Sequence, residues 1–151
     1  MMSDFRRRIV EMNLDAEFLD FSASVHTVED AAQAAGVSVS AMTKNLLLVD
    51  ELNRPVIAVL SGTDRLDVQK LATLLGRRLR MAKASEVQEL IGFEAGAVPL
   101  VVVEGTLVLD VDVAEKPFIY SSGGTTRSLV KIPTRKLIEA MKPLVGDIAF
   151  R

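Results

Sequence analysis

The sequence predicts an α+β fold, a mixed and mostly antiparallel twisted sheet with helices around it. Helical patterns come first, then an apolar hairpin, two more helices, several strands and a closing helix, an order typical of α+β domains. Strict strand–helix–strand alternation is missing, which argues against a doubly wound parallel sheet. The 151 residues are 49% hydrophobic, and a chain of this length buries roughly 68–70% of its unfolded surface. Residues 1–151 therefore read as a single domain with a real core. Aromatic residues make up only 5% of the chain, so Val, Leu, Ile and Ala must fill it.

Phe5, Ile9, Val10 and Met12 are spaced for one helical face, with Arg6, Arg7 and Arg8 turned to water. Residues 14–21 read as a turn leading into a short strand. Thr27 opens a helix as its cap, with Asp30 near the positive helix end and Gly36 as the stop. Residues 38–42 form one further helical turn. The apolar runs 46–49 and 56–60, joined by a polar segment with Asn53 and Pro55, read as a β-hairpin. A helix over 67–75 ends at Gly76, and Ser85-Glu86-Val87-Gln88 reads as a capping box. Strands follow at 100–103, 107–111, 118–120 and 129–132, with Gly105 turning the first two. Pro133 precedes a last helix over 134–141, with Leu137, Ile138 and Met141 on one face.

Composition excludes several chemistries. With no cysteine there is no disulfide, thiolate metal site or Cys nucleophile. A single histidine, His26, argues against a His-rich metal centre and a Ser-His-Asp triad. A formal net charge of -2 is not that of a polybasic nucleic-acid binder, so any RNA contact must rest on a local patch. The longest apolar stretch, 95–103, is too short to span a bilayer and reads as a buried strand region. The N-terminal residues lack the apolar run of a signal peptide. Those features predict a soluble, cytoplasmic protein without membrane contact.

A few residues have the character of a site. Lys44, after a helical turn and just before a buried strand, can hold a phosphate or hydroxyl oxygen by a charge-assisted bond; an ordinary lysine there would neutralise a helix end. Gly92 and Gly96 frame a loop whose N–H groups can approach a ligand closely, although turn chemistry also uses glycine so. Ser121-Ser122-Gly123-Gly124-Thr125-Thr126 suits a phosphate or ribose and equally a flexible hairpin. His26 reads as a surface or capping imidazole able to contact substrate. Asp110 and Asp112 alternate along a predicted strand, and read as a solvated strand end rather than a metal pair.

Taken together, T-V-E-D-A-A-Q-A-A-G-V from Thr27, M-T-K-N-L around Lys44, G-F-E-A-G-A-V-P-L from Gly92 and S-S-G-G-T-T-R-S-L from Ser121 resemble the YbaK family. These are aminoacyl-tRNA deacylases related to the editing domain of prolyl-tRNA synthetases. The resemblance runs from Phe5 to Asp147 and implies a partly barrel-shaped sheet. It implies hydrolysis of mischarged aminoacyl-tRNA in trans, with tRNA for proline as one candidate acceptor, without metal or other cofactor. Lys44 matches the family's essential lysine, and Gly96 the glycine of a loop beside the aminoacyl carbonyl. His26, Thr27, Thr43, Asn45, Gly92, Ser122, Gly123, Gly124 and Thr125 fall at positions that line the family's substrate pocket. Asn45 stands where Thr or Ser is usual, and Leu100 where the loop's proline is usual. Thr125, Thr126 and Arg127 replace the His or Asp that some members use for selection. The implied partners are the acceptor end of an aminoacyl-tRNA and an aminoacyl-tRNA synthetase, with the chain a monomer or homodimer. The competing class is a non-catalytic RNA-, nucleotide- or protein-binding module on the same fold.

Overall fold

The computed structural model of the protein describes residues 4–100 and 105–151. In chain order the elements are α1 (Asp4–Glu11), β1 (Glu17–Asp20), α2 (Val28–Ala35), β2 (Thr43–Asp50), β3 (Pro55–Ser61), α3 (Val68–Leu75), β4 (Leu79–Met81) and α4 (Ala84–Ile91). There follow β5 (Thr106–Asp110), α5 (Val111–Ala114), β6 (Phe118–Ser122), β7 (Ser128–Pro133), α6 (Thr134–Met141) and β8 (Leu144–Gly146). Short 3₁₀ turns occupy Val39–Ala41 and Ala95–Ala97.

The strands form two sheets rather than a closed barrel. One has the order β1-β7-β6, the other β4-β2-β3-β5-β8. Pairing is antiparallel throughout the first sheet and for β2 with β3 and β4. It is parallel for β3 with β5 and β5 with β8. The mixed, mostly antiparallel α+β arrangement is thus the one the sequence predicts.

Strand alternation divides the core. Leu47, Ile57, Val59 and Leu109 face the three-stranded sheet and meet Ile119, Val130 and Ile132, with Phe5 and Ile9 of α1, Val87 of α4 and Leu137 of α6 closing the layer. The opposite face of the larger sheet, with Leu48, Val56, Ala58, Leu60 and Val108, lies under Leu71 of α3. Each such side chain withdrawn from water contributes about 1.5–3 kcal/mol. A third cluster joins Ala31 and Ala32 of α2 to Val25, Met42 and Leu129.

Local signals explain the helix ends. Thr27 Oγ1 accepts from Asp30 N–H, and Gly36 closes α2 at φ 72°. Asp67 caps α3 through Gln69 and Lys70 N–H.

Several expectations need correction. Val10 is 56% exposed, so the buried face of α1 is Phe5 and Ile9 without it. The capping interaction of α4 lies earlier than Ser85: Glu86 reaches back to Lys83 N–H at 2.7 Å, because the helix already begins at Ala84. Ala95–Ala97 is a 3₁₀ turn and not part of a strand. Leu100 is buried outside any strand, and the rest of the 100–103 expectation lies outside the described residues. Strand β5 stops at Asp110, which caps α5 by accepting from Asp112 N–H at 3.2 Å. Asp110 and Asp112 therefore do not alternate along a strand, and Asp110 is fully buried rather than solvated. No helix among the described residues is long and apolar enough to cross a membrane.

Candidate active site

The two sheets meet where β2 begins. Strand β2 starts at Thr43, so Lys44 lies inside the strand, in register with Leu60, rather than ahead of it. Thr43 Oγ1 donates to the Tyr120 carbonyl of β6 at 2.6 Å. Two residues on, Asn45 Nδ2 donates to Ser121 Oγ at 2.6 Å and to the Val98 carbonyl at 2.9 Å. These bonds stitch the larger sheet to the smaller one and fasten the segment after the Ala95–Ala97 turn to both.

A hollow of about 120 Å³ opens at this seam. Of the residues the sequence singles out, His26, Thr27, Thr43, Lys44, Asn45, Gly96, Ser122 and Thr125 line it. Its apolar side is made by Val25, Ala31, Met42, Val98 and Leu129, all of them buried. Lys44 is half-buried and makes no ion pair among the described residues. It is the lysine among the described residues that line the hollow. The Gly96 N–H, in the first part of its 3₁₀ turn, has no acceptor among the described residues. The His26 ring lies against Gly96: a Cβ there would stand 3.0 Å from His26 Cβ and 3.3 Å from Cγ. Ser24 Oγ in turn lies 2.5 Å from His26 Nδ1.

The other glycines hold up the rim without lining the hollow. Gly92 closes α4 at φ 76°. Gly123 N–H donates to the Ser128 carbonyl at 2.9 Å in the turn from β6 to β7. Gly124 sits at φ 96°, and a Cβ on it would come within 2.9 Å of the Phe5 ring, so only glycine fits. Thr125 Oγ1 and Ser128 Oγ are 2.8 Å apart and stiffen the same turn. Leu100, which stands where the resemblance expects proline, is only 1% exposed and packs in the core.

Sequence reasoning took Ser121 only as part of the Ser121–Thr126 run, and missed Ser128 and the apolar wall. The signal for the role of Ser121 was its alternation with Ile119 along β6, on the buried face where a hydroxyl needs a partner; Asn45 supplies it.

Charge is distributed unevenly. The carboxylates of Asp64, Asp110 and Asp112 lie within 4.8 Å of one another; they are outside the lining of the hollow, although Asp110 is only two strands from Lys44, which pairs with Leu60 next to the Val59–Leu109 pair. Burial would raise the Asp110 pKa; the Arg151 guanidinium and the N–H groups of Ile148 and Asp112 outweigh it and hold the carboxyl below the usual range. Asp110 is the buried member, anchored by Arg151, which also pairs with the exposed Asp112.

The lining of the hollow combines a lysine without an ion pair and a backbone N–H without an acceptor, both among the described residues, with hydroxyls and an apolar wall. Such a set can hold a polar ligand with one apolar substituent and stabilise a carbonyl oxygen that gains charge.

Known proteins supply a family. The uncharacterized protein YwhH of Bacillus subtilis (strain 168) is 28% identical over 140 residues, 91% of this chain and 89% of that protein. A 74-residue segment is 34% identical to part of the proline–tRNA ligase of Aquifex aeolicus, 48% of this chain and 13% of the ligase. The crystal structure of the hypothetical protein APE2540 superposes with a TM-score of 0.91 at 30% identity, covering 98% of this chain and 100% of that one. A protein proposed as a trans-editing enzyme for prolyl-tRNA synthetase superposes with a TM-score of 0.84 at 31% identity over 100% of both chains. The model of the aminoacyl-tRNA editing domain matches residues 22–140, a span that contains every residue lining the hollow, and the chain belongs to that family.

Proposed function

We propose that this protein removes amino acids from mischarged aminoacyl-tRNA in trans, with tRNA for proline as acceptor, and that residues 1–151 act as one editing domain. The observation that carries the reading is the convergence of Lys44, Gly96, His26, Thr27, Asn45 and Thr125 on one hollow at the sheet seam. The ester enters with its aminoacyl side chain toward Met42, Val98 and Leu129. Lys44 holds a phosphate or hydroxyl oxygen of the terminal nucleotide and is not the base. Water attacks the carbonyl carbon, and the Gly96 N–H stabilises the oxyanion. The tetrahedral intermediate then expels the ribose oxygen, which takes up a proton, leaving a free amino acid and an uncharged tRNA. An aminoacyl ester is already activated, so positioning and one oxyanion donor suffice without a covalent intermediate. Such a reaction belongs in the cytoplasm beside an aminoacyl-tRNA synthetase.

The test is a panel of mischarged tRNAs with ester loss followed over time for the wild type and Lys44→Ala. Hydrolysis of at least one tRNA that the variant loses supports the reading. No hydrolysis across the panel overturns it. A second reading, a non-catalytic RNA- or nucleotide-binding module, draws on Asn45, whose amide N–H groups are spent on Val98 and Ser121 rather than left for a ligand. Binding of tRNA without ester loss would favour it.

A further inference from the structure

A second hollow is lined by residues next in sequence to those of the candidate active site, Ala41 beside Met42 and Tyr120 beside Ser121. It has a volume of about 350 Å³, and its lining includes Val37, Ser40, Ala41, Lys116, Phe118 and Tyr120. Strand alternation puts Phe118 and Tyr120 on the same face of β6, while Ile119 between them is buried. Lys131 of β7, in register with Tyr120, brings its ammonium to 4.2 Å from the Phe118 ring centroid and 5.7 Å from that of Tyr120. The result is an aromatic surface with a cation over it. Phe118 is 36% exposed, although this chain has few aromatic residues for its core.

Lys116 borders the same hollow and donates to the Ser40 carbonyl at 2.6 Å. Neither lysine makes an ion pair among the described residues. Glu17, opposite Lys131 across the β1–β7 ladder, and Glu115, beside Lys116, are both exposed and leave the two ammonium groups uncompensated. The link to the active site is short: Ala41 lines this hollow, Met42 and Thr43 line the other, and Thr43 is bonded to the Tyr120 carbonyl.

We propose that Phe118, Tyr120, Lys116 and Lys131 form a stacking platform for the unpaired RNA nucleotides that adjoin the terminal nucleotide in the active site. This rests on the deacylase reading for its partner. A base offers a flat π-face to Phe118 or Tyr120, and the phosphates on either side meet the lysines. A purely apolar peptide would gain nothing from two uncompensated ammonium groups beside the rings. Stacking is sequence-tolerant, which suits an end whose unpaired nucleotides are the same in every tRNA.

The test measures binding of unacylated, fluorescein-labelled RNA hairpins by anisotropy, one with a single-stranded CCA end and one blunt. The wild type should prefer the CCA-ended hairpin. Phe118→Ala should weaken its binding by at least about fivefold, the lower end of what one stacked base is worth, and leave the blunt hairpin unchanged. Phe118→Trp should retain the preference. Lys131→Gln should lower the slope of log affinity against log salt by about one. Phe118→Leu keeps apolar bulk without a π-face and replaces the alanine variant should circular dichroism show that one to be unfolded. Equal affinity of the wild type and a folded Phe118→Ala or Phe118→Leu for the CCA-ended hairpin would overturn the platform. So would a Phe118 variant that binds RNA normally but no longer associates with a prolyl-tRNA synthetase, since the surface would then be a protein dock. The RNA is unacylated, so its binding is read independently of ester hydrolysis: Phe118-dependent binding, together with no ester loss across the mischarged-tRNA panel, keeps the platform and removes only the deacylase reading.

Discussion

The carboxamide of Asn45 donates to the Val98 carbonyl at 2.9 Å, and through that bond strand β2 holds the segment that carries Gly96. The same nitrogen donates to Ser121 Oγ of β6, while Asn45 Oδ1 is buried and has no partner among the described residues. The side chain therefore works as a donor. Asn45→Ala leaves a buried carbonyl and a buried hydroxyl with fewer partners, and should cost about 1–3 kcal/mol. Asn45→Asp should cost more, because it replaces the donor with an oxygen facing the Val98 carbonyl. Denaturant unfolding of both variants checks the order. An aspartate as stable as the wild type would show that the bond to Val98 contributes nothing.

Lys44→Ala is expected to abolish deacylation and leave the fold intact. Lys44 is half-buried, makes no ion pair among the described residues and borders the hollow, so its removal leaves no carboxylate unpaired. Circular dichroism and turnover of the best mischarged tRNA should be measured on the same preparation. A folded variant that keeps most of its activity would remove Lys44 from the site.

Much of this site was legible because its signals are local. Thr27 and Gly36 mark both ends of α2, since capping needs only the residues around the helix end. The strand at Lys44 was read too late because its start is set by Thr43, whose hydroxyl bonds a carbonyl 77 residues away. Parallel strands β5 and β8 also meet at long range, Val108 opposite Leu144, and three-residue β8 carries no periodicity to read. Gly92, Gly123 and Gly124 share a residue type with Gly96, but only Gly96 lines the hollow. Composition marks where glycine is needed, and tertiary packing decides what it faces.

Acid should destabilise the protein through identifiable carboxylates. The Arg80 side chain, then the Lys83 N–H, hold the Glu86 pKa at about 2 against a reference of 4.5. A depressed folded pKa means stability that is fully present above pH 4.5 and lost as pH falls toward 2. For Asp50, burial opposes the effect, but the N–H groups of Arg54 and Leu52 and the Arg54 guanidinium outweigh it and lower the pKa as well. Arg80→Ala should flatten the fall of melting temperature with acid in that window. An unchanged slope would mean that Glu86 is equally stabilised in the unfolded chain.

Chelators are expected to leave turnover unchanged. The carboxylates of Asp64, Asp110 and Asp112 approach one another closely enough for a cation, but the Arg151 guanidinium already bonds Asp110 at 2.6 Å and Asp112 at 3.0 Å. Positive charge is thus supplied covalently by the chain. Arg151→Ala should lower the melting temperature by several degrees, because Asp110 stays buried without its guanidinium. Loss of activity on dialysis against a strong chelator, restored by a divalent cation, would reverse the assignment.

Gly96 carries the most demanding prediction, because a side chain there acts in two ways. Its φ is not in the left-handed region, so the backbone tolerates other residues, but a Cβ would press on His26 at 3.0 Å. Both Gly96 and His26 are exposed, so the loop can shift by a few tenths of an ångström and the fold should survive Gly96→Val. Turnover should not survive: the valine crowds the hollow and displaces the N–H donor, and losing one oxyanion donor typically costs ~10²–10³ in rate. The double variant Gly96→Ala, His26→Gly separates the two effects. The nearest atom to the added methyl is His26 Cβ, so removing the whole side chain relieves the contact and returns the donor to its place, and the double variant should recover part of what Gly96→Ala loses. No recovery, with a folded protein and intact tRNA binding, would mean that the added methyl blocks the ester directly. A stable Gly96→Val with near-normal turnover would mean that the carbonyl is held elsewhere along the seam.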